Sequence, residues 1–266
     1  MQIITPQDIL IDLNGPVLLA ASLVGTALAA RNIRNLSYTN KQIILLLIPA
    51  WLFGLPFAKV GHLANLMLAA VNPFQAVSAE LPGPDKPLSV FLLYGYSSIG
   101  GLIGAGLYGW LYCVIQKRSA LKLADACIVP ALLMYAIART GCAIHGCCYG
   151  IEVHPAAESA LSMLLDNRDG VSRLPLQCID SLLSFSMCAI LCVAGKNRPR
   201  AGRLLSMFLL LYPTQRFLLD FLRGDRLPIS GSILSATQWA CLFAFTGGIL
   251  LLFHPVRPAS RQLSKP

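Results

Sequence analysis

Apolar positions in this chain come in long unbroken runs separated by short polar stretches. They do not alternate residue by residue. Seven runs, near residues 16–30, 43–58, 98–116, 123–140, 178–195, 204–222 and 233–253, approach or reach the length needed to cross a bilayer. That length is about 20 residues of helix at a rise of about 1.5 Å each. Continuous runs predict helices, because a membrane-spanning barrel strand would show a period of two. The expected fold is all-α: a polytopic integral membrane protein of about seven transmembrane helices, forming one membrane-embedded domain over residues 1–266.

Composition agrees. Of the 266 residues, 56% are apolar and 12% charged, and the mean hydropathy is +0.65. A soluble domain carries about twice that share of charge, and disorder requires the opposite balance. The net charge of +9 would suggest a nucleic-acid partner in a soluble protein, but the charges fall in the gaps between runs. Thirteen of the 21 basic residues occupy alternate gaps: Arg31, Arg34 and Lys41; Lys117, Arg118 and Lys122; Lys196, Arg198, Arg200 and Arg203; Arg257, Arg261 and Lys265. The one acid near them is Asp125, and the other eleven lie in the remaining segments. Short basic loops stay in the cytoplasm, so the C-terminus is expected inside and the N-terminus outside. The excess of positive charge marks topology, and no nucleic-acid partner is expected. Ala27-Leu28-Ala29-Ala30 resembles a signal-peptidase site, but the first 30 residues contain Asp8 and Asp12 and no Lys or Arg, so a retained first helix is expected.

The two long segments, about 59–97 and 141–177, fall on the expected outer face, which makes that face the working one. In the third run, Gly101-xxx-Ala105-xxx-Gly109 forms a small-residue stripe suited to close helix packing. The alternative for Gly100 and Gly101 is room for a lipid or substrate. The sixth run ends with Arg216, Asp220 and Arg223, which share one helical face at i, i+4 and i+7. One carboxylate facing two guanidinium groups leaves positive charge for an anion. In the fourth run, Arg139 precedes Gly141, Gly146 and Gly150, predicting a backbone that leaves the helix and cradles a phosphate with exposed N–H groups. Arg139 from one helix and Arg216 or Arg223 from another would then grip one phosphate.

Cys142, His145, Cys147 and Cys148 suggest a metal, but the spacing departs from Cys-x2-4-Cys pairs and adjacent cysteines do not readily share an ion. No metal or other cofactor is expected; apolar packing and a disulfide, within the segment or to Cys178, are the alternatives. Three polar pairs, Lys59 with His62, Gln177 with Asp180 and Ser235 with Gln238, cluster at the outer ends of helices.

With these residues in view, the chain resembles the prolipoprotein diacylglyceryl transferases. Arg139 to Gly150 is similar to their Gly-Arg-x-Gly-Asn-Phe-x-Asn-x-Glu-x-x-Gly signature, with Arg139, Gly141 and Gly150 at matching positions. Lys59-Val60-Gly61-His62 resembles the family's Arg-x-Gly-Tyr, and Gly100-Gly101-Leu102-Ile103-Gly104 its His-Gly-Gly-Leu-Ile-Gly. Pro175-Leu176-Gln177-Cys178-Ile179-Asp180 looks like its Pro-x-Gln-x-Tyr-Glu. Arg216 to Arg223 looks like its Arg-Phe-x-x-Glu-x-x-Arg, and Ser235-Ala236-Thr237-Gln238 like its Ser-x-x-Gln. The family's histidine before Gly-Gly is Ile99 here, its asparagines are Cys142 and His145, its glutamate is Cys147, and the histidine before Pro175 is Leu174.

The resemblance implies transfer of the diacylglyceryl group of phosphatidylglycerol to the lipobox cysteine of a prolipoprotein, at the outer face of a bacterial plasma (inner) membrane. It implies catalytic roles for Arg139, Arg216 and Asp220, with His145 or His62 as substitute base or no histidine base at all. It implies substrate binding by Lys59, His62, Gly100, Gly101, Arg139, Gly141, Gly150, Gln177, Asp180, Arg223 and Gln238. The alternative is a relative that binds phospholipid, or modifies another acceptor, without prolipoprotein transfer.

Overall fold

A computed structural model describes residues 6–70, 73–78, 81, 96–153, 171–196, 200–224 and 226–253, with residues 6–14, Pro73, Gln75 and His145 described by backbone alone. The C-terminal basic residues Arg257, Arg261 and Lys265, Arg198, Asp225, and most of the two long outer segments lie outside the described residues. Among the described residues there are eight helices: α1 (Pro6–Arg34), α2 (Asn40–Ala69), α3 (Pro73–Ser78), α4 (Ser98–Ile115), α5 (Ala120–His145), α6 (Leu176–Gly195), α7 (Arg203–Asp220) and α8 (Ala236–Phe253). The all-α expectation holds. Six of them, α1, α2, α4, α5, α6 and α8, are long and apolar enough to cross a membrane. The seventh expected span, α7, is 18 residues long but carries Arg203, Arg216 and Asp220, which lower its apolarity.

The burial pattern is that of a bundle solvated by lipid. Large apolar side chains such as Leu23, Leu52, Ile103, Val193, Phe243 and Leu250 face outward, while Ser184, Ser206 and Gln238 are fully buried. These three side chains are hydrogen-bonded between helices, Ser206 to Gly248 O, Ser184 to Gln215 and Gln238 to Phe217 O, while hydrocarbon meets hydrocarbon outside. α1 packs on α5, α2 on α4, and α7 on α8, with α6 wedged against α5 and α7.

Two helices run past their expected ends. α2 continues for eleven residues beyond position 58, through Lys59 and His62, because the apolar sequence after Gly61 sustains it. α5 continues through Gly141 to His145 and stops at Gly146, whose φ of 80° is the left-handed C-cap that glycine adopts without strain. The expected stripe does face α2, where a Cβ on Gly54 would lie 3.4 Å from Gly101 O and 3.8 Å from Ala105 Cβ, but the closest approach falls at Gly100 and Gly104. A Cβ on Gly100 would lie 2.3 Å from Phe57 O, and one on Gly104 2.8 Å from Phe53 O, so these two let the backbones touch. Gly101, on the neighbouring face, meets Ala58 Cβ at an ordinary 3.5 Å. The room expected for a substrate at Gly100 and Gly101 is therefore occupied by α2.

The basic connections gather at one end of the bundle. Arg118 Nη2 donates to Ser37 O at 3.3 Å and Arg200 Nη2 to Leu252 O at 2.8 Å, tying α4–α5 to α1–α2 and α7 to α8. Asp125, the isolated acid of these segments, leaves α5 to cap α7: its carboxylate accepts from Gly202 N at 2.7 Å and Leu205 N at 2.8 Å. A carboxylate here complements the positive pole of α7, whose own N-cap, Gly202, has no side chain to offer. Asp125→Ala is expected to lower stability by about 1–2 kcal/mol, read as a depressed thermal midpoint in detergent, with Asp125→Asn recovering most of the loss.

Candidate functional site

At the other end of the bundle the buried charges fall into two linked clusters. The first is built on Arg139 of α5, which is 7% exposed, and Asp180 of α6, which is 3% exposed. Arg139 Nε lies 2.8 Å from Asp180 Oδ2. Tyr135, one turn before Arg139, accepts from Nε at 2.8 Å and donates to the same Oδ2 at 2.7 Å. Its ring lies under the guanidinium carbon at 4.9 Å. From α7, Gln215 Nε2 donates to Asp180 Oδ1 at 2.8 Å. Both carboxylate oxygens are thus committed, and three helices are joined at one residue.

The second cluster centres on Asp220, in the last turn of α7. Arg216 Nη2 lies 3.7 Å from Oδ1, a spacing of i and i+4 on the helix. Arg226 Nε lies 3.7 Å from Oδ2, and Ser235 Oγ donates to Oδ2 at 2.5 Å. Ser235 and Gln238 form a capping box at the start of α8: Gln238 N donates to Ser235 Oγ at 3.1 Å and Ser235 N to Gln238 Oε1 at 2.9 Å. Gln238 Oε1 also accepts from Arg226 Nη2 at 2.8 Å, and Arg226 donates to Ile233 O. Among the described residues, the Arg216 guanidinium has the Asp220 ion pair and no hydrogen bond, although it is 8% exposed. Among the described residues, two guanidinium groups here face one carboxylate, which leaves a surplus of positive charge.

Several expected roles change. Arg223 lies beyond α7, which ends at Asp220: it pairs through its backbone with Gly150, and its charge acts on Cys148. The second cation at Asp220 is Arg226, which the sequence pattern does not single out because it lies beyond the helix. The glycine cradle after Arg139 is also revised. Gly141 is inside α5, and the N–H groups of Gly146 and Gly150 donate to Cys142 O (2.9 Å) and Leu174 O (3.0 Å). Gly150 is a close-packing residue, since a Cβ there would lie 2.6 Å from Leu174 O. Gln177, 2% exposed, donates through Nε2 to Cys147 O at 2.8 Å and clamps this turn. Lys59 and His62 belong to the α2–α4 pair, with Lys59 Nζ 5.3 Å from the Tyr96 ring centre. His145 is the last residue of α5, and its side chain lies outside the described residues.

The turn after α5 brings together three thiols. The sulfurs of Cys142, Cys147 and Cys148 all lie within 4.8 Å of one another and are half-buried. The left-handed backbone at Gly146 and at Cys148 (φ 59°) folds the adjacent cysteines back onto the helix end, a convergence that residue spacing does not reveal. Arg139 Nη1 lies 4.0 Å from Cys142 Sγ. Hydrogen bonds from Cys142 and Cys147 hold the Cys148 thiol below the usual thiol range, aided by the charges of Arg139 and Arg223, while the same contacts push Cys147 up. All nine cysteines are free thiols, and Cys178 is exposed.

The fold and these clusters define a multi-pass membrane protein with a buried, arginine-centred polar site at one end of its bundle. The family model described as prolipoprotein diacylglyceryl transferase matches residues 3–254, so the chain belongs to that family. It is similar to phosphatidylglycerol–prolipoprotein diacylglyceryl transferase 2 of Clostridium perfringens, 32% identical over 169 residues, covering 60% of each chain. The corresponding transferase of Clostridium tetani is 27% identical over 162 residues, covering 59% of this chain and 63% of that one. That of Clostridioides difficile is 27% identical over 237 residues, covering 89% of this chain and 87% of the relative. The chain therefore spans about three fifths of the first two relatives.

The Arg139–Asp180 pair should show the asymmetry of a buried ion pair. Asp180→Asn, which leaves a guanidinium uncompensated, is expected to lower stability by about 3–5 kcal/mol. Tyr135→Phe, which removes one hydroxyl, should lower it by about 1 kcal/mol; thermal unfolding in detergent compares the two.

Proposed function

We propose that this chain transfers the diacylglyceryl group of phosphatidylglycerol to the thiol of a lipobox cysteine in a prolipoprotein, forming a thioether and releasing glycerol phosphate. The names of the relatives support phosphatidylglycerol and prolipoprotein as substrates. The observation that carries the reading is the surplus of positive charge, among the described residues, of buried Arg216 and half-buried Arg226 against Asp220. On the same two helices, α7 and α8, Pro213, Phe217, Leu242 and Phe245 line an open, apolar surface groove. A phospholipid has that division: an anionic diester for the arginines and acyl chains for an apolar helix surface.

In the reaction the sulfur bonds to the glyceryl carbon, the carbon–oxygen bond to phosphate breaks, and its electron pair passes to the phosphate oxygen. Arg216 stabilises that developing charge in a medium of low dielectric, where a fixed cation acts more strongly than in water. Arg139, held by Asp180 and Tyr135, supplies a second oriented cation. Asp220 positions Arg216 and Arg226. The site is assigned to the outer face of a bacterial plasma membrane, because the basic connections lie at the opposite end of the bundle.

Labelled phosphatidylglycerol and a lipobox peptide, incubated with purified protein, are expected to give a thioether product; no product where a standard family member works would refute the reading. Arg216→Ala should lower kcat/KM on the order of 10²–10³-fold, the scale of losing one preorganised charge partner, while membrane insertion is retained. A reporter fused at the C-terminus should be active in the cytoplasm, and activity outside the cell would reverse the topology.

A further inference from the structure

The three convergent thiols sit beside Arg139, and nothing in the phosphate chemistry above uses them. We propose that Cys142, Cys147 and Cys148 bind one Zn²⁺ through three thiolates, and that its open fourth position receives the acceptor thiol. The second half rests on the transferase reading.

The geometry asks for little movement. Tetrahedral zinc with bonds of about 2.3 Å requires sulfurs about 3.8 Å apart, and these lie within 4.8 Å of one another already. Their positions are set by the backbone: the α5 terminus at Gly146, the left-handed residue at Cys148, and the Gln177 hydrogen bond to Cys147 O. Soft thiolate ligands select thiophilic cations such as Zn²⁺. Among the described residues the site offers three protein ligands, the arrangement of a site that takes a substrate in its fourth position, and all three cysteines are half-buried, not sealed. Zn²⁺ with three thiolates is a monoanion, and Arg139 Nη1, 4.0 Å from Cys142 Sγ, is placed to donate to it.

The chemistry also gives such a group a role. A thiol must lose its proton before it attacks carbon, and the described carboxylates of the site are committed: Asp180 to Arg139, Tyr135 and Gln215, Asp220 to Arg216, Arg226 and Ser235. A thiol that coordinates zinc is deprotonated outright. Its proton passes to water, the metal-bound sulfur forms the bond to the glyceryl carbon, the carbon–oxygen bond electrons go to phosphate, and the neutral thioether dissociates as a poor ligand.

The test uses the full chain, reduced and purified in detergent. Elemental analysis should find about one zinc per chain, retained in Cys178→Ser and lost when Cys142, Cys147 and Cys148 are all changed to Ser. Co²⁺ in place of zinc should give thiolate charge-transfer bands on the wild-type protein, and a lipobox peptide with Cys, but not with Ser, should change them. Removing the metal should slow transfer on the order of 10²-fold, the scale of losing proton-transfer assistance, with zinc restoring it. No stoichiometric metal in reduced protein, a disulfide in place of the thiols, or a cobalt spectrum indifferent to the Cys peptide overturns the proposal. Metal-free protein transferring at full rate overturns it and leaves the transferase reading standing. Bound metal, a peptide-sensitive spectrum and no thioether product would uphold the metal site and refute the transferase.

Discussion

A guanidinium inside an apolar bundle has to be compensated, and the ion pair between Arg139 and Asp180 meets that requirement for the whole site. An unpaired buried ion is penalised by several kcal/mol, so α6 must present its carboxylate at the depth of Arg139, Tyr135 must stand one turn below, and Gln215 must reach across from α7. Asp220 imposes the same discipline on α7, α8 and the segment between them. Two carboxylates thereby fix the relative heights of four helices. Their saturation has a chemical corollary: they orient cations and leave little capacity to accept a proton.

The helices, the two arginines and the class of site are legible in the sequence because a charge within an apolar run is conspicuous. Arg139, Arg216, Asp180 and Asp220 are all found this way, and the family resemblance rests on the same residues. Tyr135 is not found, since an aromatic residue one turn from Arg139 reads as part of the apolar run. Arg226 is missed for a different reason: its approach to Asp220 depends on the path between α7 and α8, which no helical period encodes. Helix ends are misjudged where an apolar run is taken for the whole helix, as in α2 beyond position 58, or where glycine is taken as a stop. Gly141 remains helical, and the real terminus of α5 is Gly146, where the backbone turns left-handed. The same turn defeats the spacing argument about Cys147 and Cys148, because convergence in space is set by dihedral angles and not by separation along the chain.

The charges divide by end of the bundle. At one end, Arg118, Arg200 and Asp125 tie loops and cap a helix. At the other, arginines stand against carboxylates and a tyrosine face, with positive charge left over among the described residues. A single net charge conceals two populations: cations spent on backbone carbonyls, and cations held against carboxylates inside the bundle.

The modest apolarity of α7 bears on how the protein is made. A charged residue at a helix centre opposes insertion by about 2.5–3.5 kcal/mol, and α7 carries Arg216 and Asp220 toward one end. Taken singly, it is a poor candidate to leave the translocation channel for lipid. Its polar face is covered by Gln238 of α8 and Ser235 just before it, which are synthesised later. The helix that holds the Arg216–Asp220 pair is therefore the one whose entry into the bilayer depends most on its neighbours, and the order of synthesis becomes part of what assembles the charged cluster.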